Sequence, residues 1–336
     1  MHAADRSATR DAVHSAPFPD GDARVRNAVA VFSSRETPDT LLATVRAAIV
    51  AAGPQGRVDV LVNGNRALAH AIGERVSDPA ACPEPGRTAV RVWFIACADK
   101  AHTWNVYVAE IWAPGDIAFF VDGYARVRAD AFVSLRACLG ADAKCLGATG
   151  VPTRGRSAAR LTASMRSRGG IHGNCYAIKG EVMARLKARR IRLPRGLYRT
   201  DSTIGAVLSF DLDPAANSWD PGRIAVQEDA TWDIDAGRWW KPADLRAQIK
   251  RALRQGQGVL ENQAVRDHLA IRRQPPETLP ETAAELVFDW AARRPEAARR
   301  AARFSYSVRR ALRELARPKD WSAKDIPPQC LVATDA

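Results

Sequence analysis

The strongest constraint on the fold is a unit that recurs along the first third of the chain: a short apolar run, then a helix signal. Ala28 to Phe32 is a run of small and branched apolar residues bounded by Ser33 and Ser34, and it reads as a buried strand. Thr37-Pro38-Asp39 follows, which suits an N-cap, a first helical position and an acidic first turn. Leu41, Leu42, Val45, Ile49 and Val50 then recur at helical spacing until Gly53-Pro54 stops the pattern. The unit returns as a strand over Val58 to Val62 with a helix over Arg66 to Val76. It returns again as a strand over Ala89 to Ala96 with a helix from Ala101 to Trp112. Pro114-Gly115 then turns the chain into a further strand, Ile117 to Val121. This alternation specifies an α/β fold with a mixed, mostly parallel sheet flanked by helices. In such sheets ligands bind beyond the carboxyl ends of the strands, so the residues that directly follow each strand are the informative ones.

The 336 residues have room for one such unit and a helical appendage. Residues 1–26 lack an apolar segment and read as a disordered tail. The α/β unit spans 27–240, a helical C-terminal extension 241–318, and a second tail 319–336. Thr149 to Arg168 is rich in Gly, Ser and Arg and reads as a mobile loop. Further strands are expected over Ile171 to Ile178 and Ile224 to Trp232, and helices over Glu181 to Arg190 and from Asp201 to Leu208. From Pro242 the chain reads as helix to His268, then again from Pro280 to Ala316 with Pro295 as a break.

The net charge of +13 is clustered. Thirteen Lys or Arg and one acid, Glu181, fall between Arg154 and Arg199, and a second basic cluster runs from Arg293 to Lys319. Such clusters suit anionic partners, namely a nucleotide diphosphate, a phospholipid surface or a nucleic acid; alternatively they are solvated helix faces. Six cysteines form no Cys-x-x-Cys pair and no zinc-site spacing. A chain of this size folds without disulfides, so reduced thiols and a cytoplasmic enzyme are expected. No secretory signal is visible, and no apolar run approaches the roughly 20 residues needed to span a bilayer. Membrane contact is expected only as peripheral attachment, on the inner face.

The strand ends hold Ser34-Arg35-Glu36, Asn63-Gly64-Asn65, Asp99-Lys100 and Asp122-Gly123-Tyr124. No Gly-x-Gly-x-x-Gly follows the first strand, no phosphate-binding Gly-x(4)-Gly-Lys-Ser/Thr exists, and no Gly-x-Ser-x-Gly elbow is present. Dinucleotide binding, P-loop chemistry and elbow-type hydrolysis are disfavoured accordingly. Asp122 stands at the mouth of an apolar strand, where an unpaired buried carboxylate would be costly. A carboxylate there can hold a divalent metal against diphosphate oxygens; the alternative is an ordinary turn Asp before Gly123.

Gly115 to Tyr124 resembles the segment of family 2 glycosyltransferases that ends in their Asp-x-Asp motif, and Ala129-Asp130-Ala131-Phe132 is similar to the helix start that follows it. Arg35-Glu36 resembles the family's Asn-Glu after the first strand, and Lys100-Ala101-His102-Thr103-Trp104-Asn105 its Lys-Ala-x-Ala-x-Asn stretch. Gly173-Asn174-Cys175-Tyr176-Ala177-Ile178-Lys179 is similar to its Gly-x-x-Tyr-Ala-Ile-Arg strand, and Leu193 to Asp201 to the Leu-Pro segment leading into its Glu-Asp motif. The pieces lie in the family's order from residue 27 to 235. Tyr124 replaces the second Asp of the metal motif, Thr200 the Glu of Glu-Asp, and Asn63 the nucleoside-contacting Asp after strand two. Gln248-Ile249-Lys250-Arg251-Ala252 is similar to the Gln-x-x-Arg-Trp of processive members, with Ala252 in place of Trp.

The resemblance implies a soluble, non-processive GT-A fold enzyme that moves a sugar from a nucleotide-diphosphate donor, a UDP-sugar foremost, to an acceptor hydroxyl with inversion. It implies Asp201 as general base, with helix capping as the alternative role. It implies Ser34, Glu36, Asn63, Lys100, Asn105 and Asp122 at the donor. Lys179, Arg199, His172, Gln248 and Arg251 are candidates for diphosphate or acceptor contacts, and His172 is alternatively a further metal ligand or a structural residue. Mg²⁺ or Mn²⁺ on Asp122 is the implied cofactor. The acceptor is a glycan, a lipid-linked or a small molecule. Two rival readings remain: a catalytically impaired binding protein of this fold, which Tyr124 and Thr200 favour, and a nucleic-acid binder, which is not expected for want of a recognition motif. Trp219, Trp232, Trp239 and Trp240 either stack on a ligand or form an apolar seam. Glu285 to Arg317 mixes apolar residues and arginines as a basic amphipathic helix, suited to an anionic membrane or to packing on the core.

Overall fold

The computed structural model describes residues 25–78, 80, 88–153, 158–168, 170–234 and 242–334. Four strand–helix units open the chain: β1 (Val25–Ser33) and α1 (Pro38–Ala52), β2 (Gly56–Asn63) and α2 (Arg66–Ser77), β3 (Ala89–Ile95) and α3 (Lys100–Val106), then β4 (Gly115–Asp122), β5 (Arg126–Val127) and α4 (Ala131–Ala141). There follow β6 (Gly147–Pro152), α5 (Ala158–Arg168), β7 (Cys175–Lys179), α6 (Gly180–Ala188), α7 (Thr200–Ser209) and β8 (Ile224–Asp233). The chain closes with α8 (Pro242–Arg266), α9 (Ala283–Arg293), α10 (Pro295–Arg303), α11 (Tyr306–Leu315) and β9 (Gln329–Thr334).

The strands form one sheet in the order β5-β8-β6-β7-β4-β1-β2-β3-β9. The run β4-β1-β2-β3 is parallel; β7 lies antiparallel between β4 and β6, and β6 is parallel to β8. Alternation along β1 sends side chains to two separate cores. Val29 and Val31 join the residues of α1, α2 and α4. Ala28, Ala30 and Phe32 join those of α3, α6, α7 and the C-terminal helices. The start and stop signals of α1 work as read: Thr37 Oγ1 accepts from Thr40 N at 3.2 Å, and Gly53 ends the helix at φ +68°.

Three expectations need correction. Residues Thr149 to Arg168, expected as a mobile loop, supply most of β6 and all of α5. The glycines of β6 mark close packing: a Cβ on Gly150 would lie 2.4 Å from the Ala230 carbonyl oxygen of β8. The segment expected as a C-terminal tail supplies β9, which pairs antiparallel with β3 and covers that edge of the sheet. Its partner lies far back in the chain, so no local pattern announces it. The helix expected from Pro280 to Ala316 is three helices, broken at Pro295 and again at Phe304-Ser305.

The C-terminal helices share the core of the α/β unit. Leu260, Leu286, Trp290, Val308 and Leu315 belong to the same apolar cluster as Trp104, Tyr176 and Ile204. Among the described residues no helix is long and apolar enough to cross a membrane.

Candidate active site

A cleft of about 1330 Å³ opens at the carboxyl ends of β1, β2 and β4. Phe32 lines it, backed by buried rings: Phe32, Phe120 and Tyr176 stack in sequence across β1, β4 and β7, at 6.3 and 4.5 Å between ring centres. The loop after β1 is stiffened by Glu36, whose carboxylate accepts from Ser33 Oγ at 2.6 Å, Ser34 N at 2.8 Å and Arg35 N at 3.0 Å. Asn63, buried at the end of β2, donates to the Ser33 carbonyl at 3.1 Å, and Asn65 donates to that of Ser34 at 3.0 Å. The two loops are therefore cross-linked by side chains of the residues that follow the strands.

Asp122 ends β4 between two donors. One oxygen pairs with the Lys100 ammonium and the other accepts from the Tyr124 hydroxyl at 3.1 Å. Burial would lower the Lys100 pKa, but Asp122, with Asp201 and Glu36 nearby, raises it overall, so this lysine is cationic. Gly123 lets the turn press against β1: a Cβ there would stand 2.8 Å from the Phe32 carbonyl oxygen.

Asp201 stands in the first turn of α7, where the helix dipole favours a carboxylate. It does not cap its own helix. Its Oδ2 accepts from Gly173 N at 3.2 Å, across the cleft floor. His172, beside it in sequence to Gly173, lies against Trp232 at 4.9 Å between ring centres. Burial lowers the His172 pKa against the opposing pull of Asp201 and Asp122, so the ring is neutral at pH 7. Its Nδ1 accepts from Asn174 N at 3.3 Å, which leaves the proton on Nε2.

The far wall comes from α8, at residues later in the helix than the Gln248 and Arg251 that the sequence offered. Arg254, Gln255 and Gln257 line the cleft. Glu261, fully buried, accepts from Tyr198 N at 2.8 Å, Arg199 N at 3.0 Å and Gln257 Nε2 at 2.7 Å. Burial pushes its carboxyl up to about 7, against these three donors. The Arg199 guanidinium donates to Gln255 Oε1. A Cβ on Gly258 would lie 2.7 Å from Arg199 Nε, and one on Gly256 2.2 Å from the Ser307 backbone of α11. Two glycines inside a long helix were the available signal, because each lowers helix propensity and marks a close approach.

Ser34, Glu36, Asn63, Lys100, Asp122, His172, Arg199 and Asp201 all line this one cleft. Two candidates do not. Asn105 clamps the backbone of Leu193, donating to its carbonyl and accepting from its N–H, both at 2.8 Å. Lys179 lies at the opposite end of the sheet, because β7 runs antiparallel to β4 and Lys179 pairs with Ile117 at the start of that strand. Its ammonium donates to the Asp142 and Ala143 carbonyls. The start of β7 approaches the cleft and its end departs. The side chains of Gln248 and Arg251, on α8, fall outside the described residues, as do Trp239 and Trp240. Four arginines of the first basic cluster are paired with acids elsewhere in the chain, through Arg166–Glu228, Arg185–Asp211, Arg189–Glu277 and Arg195–Glu281.

The donor set decides how a divalent ion fits. Tyr124 offers no carboxylate, and the oxygens of Asp122 already accept from Lys100 and Tyr124. Among the described residues no group of three or more His, Cys, Asp or Glu could hold an ion. The described residues supply fewer than three such ligands, so Mg²⁺ or Mn²⁺ fits only if oxygens of a bound donor complete its shell.

No family model matches the sequence, and no curated protein matches it. Solved structures do. The chain superposes on a mannosyltransferase from Pyrobaculum calidifontis, solved with GDP-Man and Mn²⁺, at a TM-score of 0.52. That match covers 90% of this chain and 86% of the other, at 18% identity. The chain has the GT-A fold. A second structure, glucosyl-3-phosphoglycerate synthase from Mycobacterium tuberculosis with phosphoglyceric acid, overlaps at a TM-score of 0.44 and 16% identity, over 76% of this chain and 82% of that one. That overlap is too loose to support an argument. A GT-A fold at this identity establishes architecture, and the chemistry has to come from the site.

Proposed function

We propose that the cleft transfers a sugar from a nucleotide-diphosphate donor, a UDP-sugar foremost, to an acceptor hydroxyl in one inverting displacement. The observation that carries this is the convergence on one cleft of Asp122 with Lys100 and of Asp201 with His172, from separate elements. The GT-A fold supports it, since the relative solved with GDP-Man and Mn²⁺ shares that architecture.

The loops after β1 and β2 hold the nucleoside at Ser34, Glu36 and Asn63. Lys100 carries positive charge to the diphosphate as it leaves, and Arg199 adds to it from the α8 side. A Mg²⁺ or Mn²⁺ ion held by Asp122 and the donor's own oxygens supplies further charge there. Asp201, fixed through one oxygen by Gly173 N, takes the proton from the acceptor hydroxyl. The neutral His172 holds a donor proton on Nε2 for a phosphate or hydroxyl oxygen. The transition state has oxocarbenium character, as in other glycosyl chemistry.

One observation favours a second reading, a protein that binds nucleotide without turnover: Asp122 is already engaged by Lys100 and Tyr124. Release of nucleotide from a panel of sugar donors separates the two. Turnover abolished by Asp201→Asn supports the transferase; tight nucleotide binding with no release from any donor supports the binding protein.

A further inference from the structure

The turn between α10 and α11 holds a feature that the cleft does not use. Phe304 is 87% exposed, the most exposed of the large apolar side chains among the described residues, and Tyr306 beside it is 58% exposed. Neither is left over from an unfinished core. The inner faces of both helices are already packed, through Ala298, Ala301, Ala302, Val308, Ala311 and Leu315. The turn is also held firmly. Ser305 caps α11 by accepting from Val308 N at 3.3 Å, and Arg309 donates to the Ala302 and Arg303 carbonyls, each at 3.0 Å. Phe304 is thus fixed outward at a rigid corner.

The surroundings are cationic. Arg299, Arg300, Arg303, Arg309, Arg310 and Arg313 are exposed, and none has a carboxylate partner among the described residues. The nearby acids are Glu296 and Glu314, and Glu314 is taken by Arg317. A protruding aromatic ring ringed by unneutralised arginines matches the interface of an anionic bilayer. The ring enters the headgroup boundary while the guanidinium groups meet lipid phosphates. The corner also adjoins the cleft: Gly256 of α8 packs against the Ser307 backbone, and its neighbours Gln255 and Gln257 line the cleft wall.

We propose that the α10–α11 corner, with Phe304 and Tyr306 as wedge and these six arginines as collar, is a docking surface for an anionic phospholipid bilayer. The docking stands independently of the transfer chemistry. It is tested by co-sedimentation of the full chain with vesicles of phosphatidylcholine, alone or with phosphatidylglycerol added. The chain should pellet with the anionic vesicles only, and less so as salt is raised. Phe304→Ser with Tyr306→Ser should lower the partition about tenfold. Each of Arg300→Gln and Arg310→Gln should lower it about fivefold. Melting temperatures should not move, since every altered side chain is exposed. Failure to pellet with anionic vesicles at low salt would overturn the proposal. So would binding unchanged in both sets of variants, or tighter binding to a single-stranded oligonucleotide that survives the loss of Phe304.

Discussion

The two walls of the cleft are built by different means. The strand-end wall comes from residues at or just after the ends of β1, β2, β3 and β4, and they hold one another: Glu36 with Ser33 and Ser34, Asn63 with the Ser33 carbonyl, Lys100 with Asp122. The opposite wall comes from α8, and its anchor, Glu261, holds Tyr198 from 63 residues away. The first wall is a property of the α/β unit. The second exists only because the C-terminal helices share that unit's core, so the "extension" is part of the site.

The largest expected effect sets the chemistry against the scaffold on both walls. Asp201→Asn should lower the rate of nucleotide release from the donor about 10³-fold. Nucleotide affinity, measured by calorimetry, should not change. An equal loss of both would make Asp201 a structural residue and not the base.

Next comes the α8 wall. Glu261→Ala leaves three donors unmatched and should cost roughly 3 kcal/mol in urea denaturation. It should also reduce turnover, because the loop it holds runs into Thr200 and Asp201. If stability falls and turnover per folded molecule does not, α8 is scaffold alone. The pH dependence sharpens this. The Glu261 carboxyl is raised from 4.5 to about 7 on folding, so the folded state holds the proton more tightly than the unfolded one. Its contribution to stability is present in full below pH 4.5 and is lost as pH rises towards 7. Glu261→Gln should flatten that part of the stability profile, read from melting temperatures across the window.

The strand-end wall gives a smaller effect. Lys100→Ala should weaken nucleoside diphosphate binding about tenfold, the value of one charge-assisted contact, and leave binding of the bare nucleoside unaltered. Mn²⁺ should bind to the nucleotide complex and not to the free protein, since the described residues supply fewer than three ligands. The smallest effect belongs to the two candidates the structure moved away. Lys179→Ala should change neither turnover nor affinity. Asn105→Ala should cost about 1 to 2 kcal/mol through its two lost hydrogen bonds, again without changing nucleotide affinity.

These contrasts track what was legible in the sequence. Strand ends are local: an apolar run, its turn and the polar residue after it are contiguous, so Asn63 and Asp122 could be placed without a structure. Lys179 was misplaced because strand direction is not written locally; the same five residues read equally well running towards the cleft or away from it. Asn105 lies on α3 and pairs with the backbone of Leu193, a long-range pairing with no sequence signature. Gly150 reads as loop because glycine lowers strand propensity, whereas here it admits the neighbouring strand. Glu261 is invisible for the same reason as β9: its partners are remote.

The central claim is that the strand-end wall binds a nucleoside diphosphate. Calorimetric titration of the purified protein with UDP, GDP and TDP, each with and without Mn²⁺, tests it most directly. The account predicts saturable binding of one of the three, strengthened by Mn²⁺ and weakened in Lys100→Ala. A folded sample that binds none of them, with or without Mn²⁺, would contradict it.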